Sequence, residues 1–212
     1  MDPQNGIVTE DQLDCCLCGS SGKELYQDCS DRLFGVPGTW TFKQCVNDQC
    51  GLIWLDPRPN RLTIDKAYQS YYTHDSNQAQ RTVWANALRP LLQGLSVRLL
   101  GLHYERRQYK QMYLDRCSPG NLLEVGCGNG KRLERLRALG WDVMGQEIDA
   151  VAASHVQASK NIPVHLGELE TLEAPDRYDV VLLSHVIEHV HDPLSLLQTC
   201  HKLLKPGGRL IV

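Results

Sequence analysis

The sequence predicts an α/β protein: a doubly wound, mostly parallel sheet, joined through a helical connector to a small N-terminal cysteine-rich module. Three observations carry this. Apolar strand-like runs and helix-like runs alternate from residue 118 to the end, which argues for right-handed crossovers winding a parallel sheet. The first of those strands runs into three glycines at alternate positions, Gly126, Gly128 and Gly130, a strand-to-helix turn. Six of the nine cysteines, at 15, 16, 18, 29, 45 and 50, fall before residue 60.

Taken in order, residues 1–14 read as a polar, flexible tail, and 15–60 as the cysteine module. Asp56-Pro57-Arg58-Pro59-Asn60 breaks regular structure and marks a boundary. Between residues 78 and 116 apolar residues recur at helical spacing (Leu88, Leu91, Leu92, Leu95, Leu99, Leu102), so residues 61–117 read as a helical connector divided by Pro90, Gly94 and Gly101. Strands are predicted over 121–125, 143–147, 162–165, 179–184 and 208–212, and helices over 130–139, 150–160 and 193–204. The last helix has Asp192 as N-cap, Pro193 at its first position and Lys205-Pro206-Gly207-Gly208 to stop it. Ending on Leu210-Ile211-Val212, the chain reads as truncated inside its fifth strand.

Composition narrows the function. Hydrophobic content of 42% with 22% charged residues is ordinary for a globular protein, and a net charge of −3 offers no basic footprint for duplex nucleic acid. The polar start lacks a signal-peptide pattern, and Leu88 to Leu102 is too short and too charged to span a bilayer. A cytoplasmic protein with no membrane partner is expected, with the cysteines as thiols or metal ligands rather than disulfides. Oligomeric state is left open.

The chemistry lies in Asn121-Leu122-Leu123-Glu124-Val125-Gly126-Cys127-Gly128-Asn129-Gly130. Glycine there lets a ligand touch the backbone, and the turn leaves N–H groups at a helix start, a place suited to a carboxylate or phosphate. The dinucleotide pattern would need glycine at 131, where the chain has lysine. An acid ending the next strand, about 20 residues on, is expected to hold ribose hydroxyls; Glu147 supplies it.

These runs, with Gly145-Gln146-Glu147-Ile148-Asp149, Tyr178-Asp179-Val180-Val181-Leu182-Leu183-Ser184-His185-Val186-Ile187-Glu188-His189-Val190 and Leu203-Leu204-Lys205-Pro206-Gly207-Gly208-Arg209-Leu210, resemble class I S-adenosylmethionine-dependent methyltransferases. The resemblance runs from Asn121 to Val212 and implies a Rossmann-like core. It implies Glu124 near the methionine end of the cofactor, with Gly126, Gly128 and Gly130 allowing close approach and Cys127 packed beneath. Glu147 would chelate the ribose, Ile148 would lie against the adenine, and Glu168 with the Leu169 backbone would bond the adenine edge. Ser184, His185 and His189 would follow the fourth strand where the methyl group emerges, and either histidine could serve as general base. The reading preferred for His189 is a structural histidine bonded to backbone or to Glu188. His185, Glu188 and His189, on one helical face, would suit a divalent ion. Related enzymes acting on quinone precursors or small-RNA ends carry Glu-x-x-Glu-His at that position.

Cys15-Cys16-Leu17-Cys18-Gly19 and Cys45-Val46-Asn47-Asp48-Gln49-Cys50-Gly51 look like two zinc knuckles separated by a hairpin, Cys15, Cys18, Cys45 and Cys50 being the ligands of a closed structural zinc site. This segment, with Asp31-Arg32-Leu33-Phe34-Gly35-Val36-Pro37-Gly38, Cys50 to Pro59 and Tyr68-Gln69-Ser70-Tyr71-Tyr72, resembles the N-terminal ribbon of bacterial methyltransferases that accompany sugar or polysaccharide biosynthesis. There the Tyr71-Tyr72 segment would act as a lid or pack the domain junction. The expected activity is methyl transfer to a small polar metabolite, possible examples being nucleotide-linked sugars. An RNA substrate, resting on Arg106-Arg107 and Lys131-Arg132, and a non-catalytic binding module are the alternatives.

Overall fold

In a computed structural model, residues 6–33, 35–64, 66 and 101–212 are described. The chain divides into two compact units, Met1–Arg89 and Pro90–Val212. Most of the expected connector, including the helices around Leu88 to Leu99 and the Tyr71-Tyr72 segment, lies outside the described residues.

The second unit is a five-stranded sheet in the order β10-β9-β6-β7-β8, all neighbours parallel. Its strands are β6 (Asn121–Val125), β7 (Asp142–Glu147), β8 (Val164–Leu166), β9 (Tyr178–Leu183) and β10 (Leu204–Ile211). Helix α1 (His103–Lys110) precedes the sheet, and α2 (Lys131–Arg137), α3 (Ala150–Lys160) and α4 (Pro193–Leu203) connect its strands. Each expected strand and crossover helix is present; the fifth strand begins earlier than expected, at Leu204.

Alternation along the strands explains the two-sided cover. Leu122, Val180 and Leu182 pack with Leu133 and Leu136 of α2 and Ala153 and Val156 of α3. Leu123, Val125, Val181 and Leu183 pack with Leu196, Cys200 and Leu203 of α4. Both faces are therefore apolar, as a parallel sheet requires. The chain leaves β6 in one direction to build β7 and β8, then returns to β9 on the other side. That reversal opens a crevice at the carboxyl ends of β6 and β9.

In the first unit β2 (Gly22–Cys29), β3 (Trp40–Cys45) and β4 (Ile53–Leu55) form an antiparallel sheet in that order. The expected tail is corrected from Val8 onward. Strand β1 (Thr9–Glu10) pairs with β5 (Arg58–Pro59). The Val8 N–H donates to Thr63 Oγ1 at 2.9 Å, the Gln12 N–H to Asp56 Oδ1 at 2.7 Å, and the Trp54 indole to the Gln12 carbonyl at 2.8 Å. Its polar composition concealed this because strand addition uses backbone groups, which every sequence has. No helix among the described residues is long and apolar enough to cross a membrane.

Gly130 fixes the approach of α2 to α3. Its φ is +66°, and a Cβ there would lie 2.8 Å from Val156 Cγ1, a buried side chain with little room to move. Gly130→Ala is expected to destabilise the unit by about 2–4 kcal/mol through strain and overpacking, read as a lower denaturant midpoint at unchanged m-value.

Candidate functional site

The bend between β6 and α2 is held from the end of β7. The Gly126 N–H donates to Gln146 Oε1 at 3.1 Å, the Cys127 N–H to the Gln146 carbonyl at 3.0 Å, and the Gly128 N–H to Glu147 Oε2 at 2.8 Å. Gln146, 4% exposed, also donates through Nε2 to the Gly167 carbonyl at 2.6 Å. One side chain thus joins the bend after β6 to the loop after β8. Sequence reading passed over Gln146; the available signal was a polar residue in a strand expected to be buried, which must find partners.

These bonds correct one expectation. Three consecutive amides of the bend serve Gln146 and Glu147, so they are not the open anion cradle inferred from the glycine spacing. A phosphate would have to displace internal acceptors. A ligand that brings no phosphate to the bend suits it better.

Glu147 ends β7 and is 8% exposed. Besides the Gly128 amide, its Oε1 accepts from the Ile148 and Asp149 N–H groups at 2.9 and 3.1 Å. A carboxylate has about four acceptor positions, so capacity is left for a hydroxyl. Ile148 is 68% exposed beside it. Glu168 precedes a 3-10 turn, Leu169–Thr171, and its carbonyl accepts from the Thr171 N–H at 3.1 Å and hydroxyl at 2.8 Å. The Leu169 side chain is buried in the core.

A cavity of about 300 Å³ is lined by Gly126, Cys127, Gly128, Glu124, Arg132 and Tyr109, with Lys110, Lys131 and Arg135 around it. A Cβ on Gly128 would meet no atom within 4 Å, whereas one on Gly126 would lie 2.8 Å from Val186 Cγ2. The first glycine therefore admits the loop after β9 and the second leaves space. Cys127 is buried against Gly145, where a Cβ would come 2.6 Å from its Sγ, and burial pushes its thiol up to about 12. It is a packing residue, not a nucleophile.

Glu124 is 3% exposed. Arg132, on the first turn of α2, reaches back with Nη1 2.7 Å from Glu124 Oε1 and donates through Nη2 to Ser184 Oγ at 3.1 Å. Glu124 Oε2 is buried without a hydrogen-bond partner. Burial pushes the Glu124 carboxyl up to about 7, with the Arg132 charge and hydrogen bond pulling against it. The sequence offers Arg132 only as basic support for an RNA substrate; in the structure it bridges β6 and the end of β9 across the crevice.

His185 has a φ of +57° and lies outside any helix, and Ile187–His189 is a single 3-10 turn. The expected helical face of His185, Glu188 and His189 therefore does not form. His185 Nδ1 lies 3.3 Å and His189 Nε2 3.8 Å from Glu188 Oε1. Among the described residues the one group of three or more potential ligands that converges is Cys15, Cys18, Cys45 and Cys50, their ligand atoms all within 4.8 Å of one another. All four are free thiols. Matching turns set them: the Gly19 N–H donates to the Cys15 carbonyl at 2.9 Å and the Gly51 N–H to the Asn47 carbonyl at 3.1 Å. Hydrogen bonds from Ser20 pull the Cys18 thiol down to about 6, and burial pushes Cys45 up to about 12.

A glycine bend and a strand-end acid at the reversal of a parallel sheet define an α/β ligand-binding domain of the doubly wound kind. Comparison makes the class particular. Residues 102–212 match a family described as a methyltransferase domain, and the chain belongs to that family. It is similar to a ubiquinone biosynthesis O-methyltransferase of Cereibacter sphaeroides, 42% identical over 96 residues covering 42% of this chain and 39% of that protein. Its counterpart in Proteus mirabilis is 38% identical over 113 residues, covering 50% and 46%. The chain thus spans less than half the length of these curated relatives. Among solved structures, an S-adenosylmethionine-dependent methyltransferase from Mesorhizobium loti is 24% identical with a TM-score of 0.40, covering 43% of this chain and 45% of that one. A glycopeptide N-methyltransferase solved with S-adenosylhomocysteine is 19% identical with a TM-score of 0.44, covering 49% and 47%.

Stability should report the buried Glu124. Its folded value near 7 lies above the ordinary 4.5, so the folded state holds its proton over a range where the unfolded chain has lost it. The acid's contribution is fully present below pH 4.5 and is lost as pH rises to 7. Across that window wild type should lose at most about 3 kcal/mol relative to Glu124→Gln, measured by denaturant unfolding at several pH values.

Proposed function

We propose that the second unit binds S-adenosylmethionine in the crevice of β6 and β9 and transfers its methyl group to a small-molecule acceptor. The observation that carries this reading is the Glu124–Gly128–Glu147 arrangement: a buried acid with an unpartnered oxygen, open space at Gly128, and a strand-end carboxylate with acceptor capacity left. These fit an amino-acid ammonium, a close-lying chain and a ribose in turn. When bound, the cofactor supplies a methyl group already activated on a sulfonium. The chain's residues then have to orient the acceptor and exclude water, and proximity and orientation alone lower a barrier by roughly 7–11 kcal/mol.

For an alcohol acceptor a proton must leave near the transition state. His185 and His189, either side of Glu188, are the proposed candidates for accepting it, the carboxylate steadying the imidazolium that results. Ile148, Glu168 and Leu169 are the proposed adenine contacts, and Ser184 lies within the same crevice through its bond to Arg132. The relatives named for ubiquinone biosynthesis support an O-methylated small molecule. The N-terminal ribbon supports a polar, sugar-like one. Because the family match covers residues 102–212, the sugar-like acceptor rests on the ribbon alone. For the RNA alternative the exposed Arg106 and Arg107 remain as support, while Lys131 and Arg132 line the cavity.

The ribbon's four thiols fit zinc: sulfur ligands only, gathered to a common point, from two similar turns. Cys15, Cys18, Cys45 and Cys50 would hold it, and its role would be to close the fold.

Calorimetric titration of the purified protein with S-adenosylhomocysteine should show one site per chain; absence of binding would end the methyltransferase reading. Native mass spectrometry should show one zinc per chain. In Cys45→Ser the metal should be lost and the ribbon should become protease-sensitive, while nucleoside binding by the second unit persists.

A further inference from the structure

We propose that Arg132 recognises the carboxylate of the cofactor's amino-acid end, its ion pair with Glu124 being the internal stand-in for a bound zwitterion. The inference rests on the cofactor assignment above and adds to it the residue that selects for an intact α-amino acid.

The pair is unusual in its surroundings. Glu124 is 3% exposed, and one of its oxygens holds Arg132 at 2.7 Å while the other is buried with no partner. The Arg132 side chain is 24% exposed, so its guanidinium has a buried edge on Glu124 and Ser184 and lines the cavity as well. Lys110, Lys131 and Arg135 face the same cavity, and Glu124 is the acid among its lining residues. A neutral pair of opposite charges is complementary to a ligand that is itself a neutral pair. An ammonium carries three donors and satisfies the unpartnered Glu124 oxygen. A carboxylate matches the planar guanidinium fork in a way it cannot match an ammonium side chain. A ligand bringing only a cation or only an anion would leave one member of the pair buried and uncompensated, which is strongly unfavourable. The site should therefore discriminate by the whole amino-acid group and not by the nucleoside.

The position of Arg132 adds geometry. It sits one residue into α2, directly after the bend that Gln146 and Glu147 fix, so the guanidinium is held at a defined distance from the ribose-facing acid. Recognition at both ends of the ligand is thereby set by one rigid corner.

The test compares two probes on the full chain by calorimetry: S-adenosylhomocysteine, and 5′-methylthioadenosine, the same thionucleoside without its amino-acid group. In wild type the first should bind more tightly. Arg132→Met should weaken S-adenosylhomocysteine by roughly 10- to 100-fold, as expected for a charge-assisted hydrogen bond, and change 5′-methylthioadenosine by less than about threefold. Arg132→Lys, which keeps the charge and loses the fork, should fall between, and carries the same comparison if the methionine variant does not fold. Equal weakening of both probes, or of neither, overturns the role of Arg132 while leaving the cofactor assignment standing. Wild type that binds neither probe overturns both.

Discussion

Everything at the crevice depends on how the end of β7 grips the bend after β6. Three successive N–H groups, of Gly126, Cys127 and Gly128, are consumed by two successive residues, Gln146 and Glu147. The parallel register sets this up by pairing Val125 with Gln146. A bend with positive φ at alternate residues would otherwise expose its amides and fray; here each is matched, so the loop is a fixed wall. Gln146 also holds Gly167, so one buried side chain ties the loops after β6 and β8 together. Net hydrogen bonds contribute only about 0.5–1.5 kcal/mol each, but an amide left buried and unpaired costs more than that. The bend is therefore preorganised at the expense of its capacity to bind phosphate.

That exchange shapes the chemistry. With the amides occupied, charge recognition in the proposed site would fall to side chains, and those lining it include Glu124 and Arg132. Burial pushes the Glu124 carboxyl up and Arg132 pulls it back toward ionisation. Losing the arginine would therefore favour the protonated acid, while losing the acid would leave the arginine without its partner charge. The pair bridges the two strands between which the chain reverses direction, β6 through Glu124 and β9 through Ser184. Strand order dictates a gap there, and the ion pair spans it.

How much of this was legible in the sequence differs by residue. Strand and helix limits in the second unit follow from apolar alternation and from punctuation such as Asp192-Pro193, whose cap is seen as Ser195 N–H donating to Asp192 at 2.9 Å. Glu147 was found because spacing from a glycine bend is fixed by the length of one βαβ unit. Gln146 and Arg132 were missed for opposite reasons. Gln146 looked like an interior strand position with no chemistry, and Arg132 like one more charge on an exposed helix turn. Whether an arginine at a helix start points to water or back over the strand depends on whether an acid lies beneath it. That is a tertiary fact eight residues away, and helix periodicity does not encode it. The His185, Glu188 and His189 face failed because i, i+3, i+4 geometry presupposes an α-helix, and His185 adopts a left-handed backbone before a lone 3-10 turn.

The first unit poses the converse problem. Among its described residues the buried apolar side chains are Cys15 and Cys45, and its buried polar ones are Asp56 and Thr63; Leu13, Leu17, Leu33, Val46 and Ile53 are exposed. Three short strands joined this way bury too little apolar surface to offset the entropy of ordering them. Asp56 helps, accepting from Gln12 and pairing with Lys43, which ties β1 to the three-stranded sheet. In so largely buried a pair the Coulombic gain is offset by desolvation of both groups, so it sets register more than it adds net stability. Among the described residues the four sulfurs converge, and they draw on the two Gly19 and Gly51 turns and on the end of β3. A metal there would do what a hydrophobic core does elsewhere, and its binding energy would be folding energy. The cysteine spacing was readable from the sequence for that reason: where the described residues bury so few apolar side chains, a ligand set would have to fix the fold.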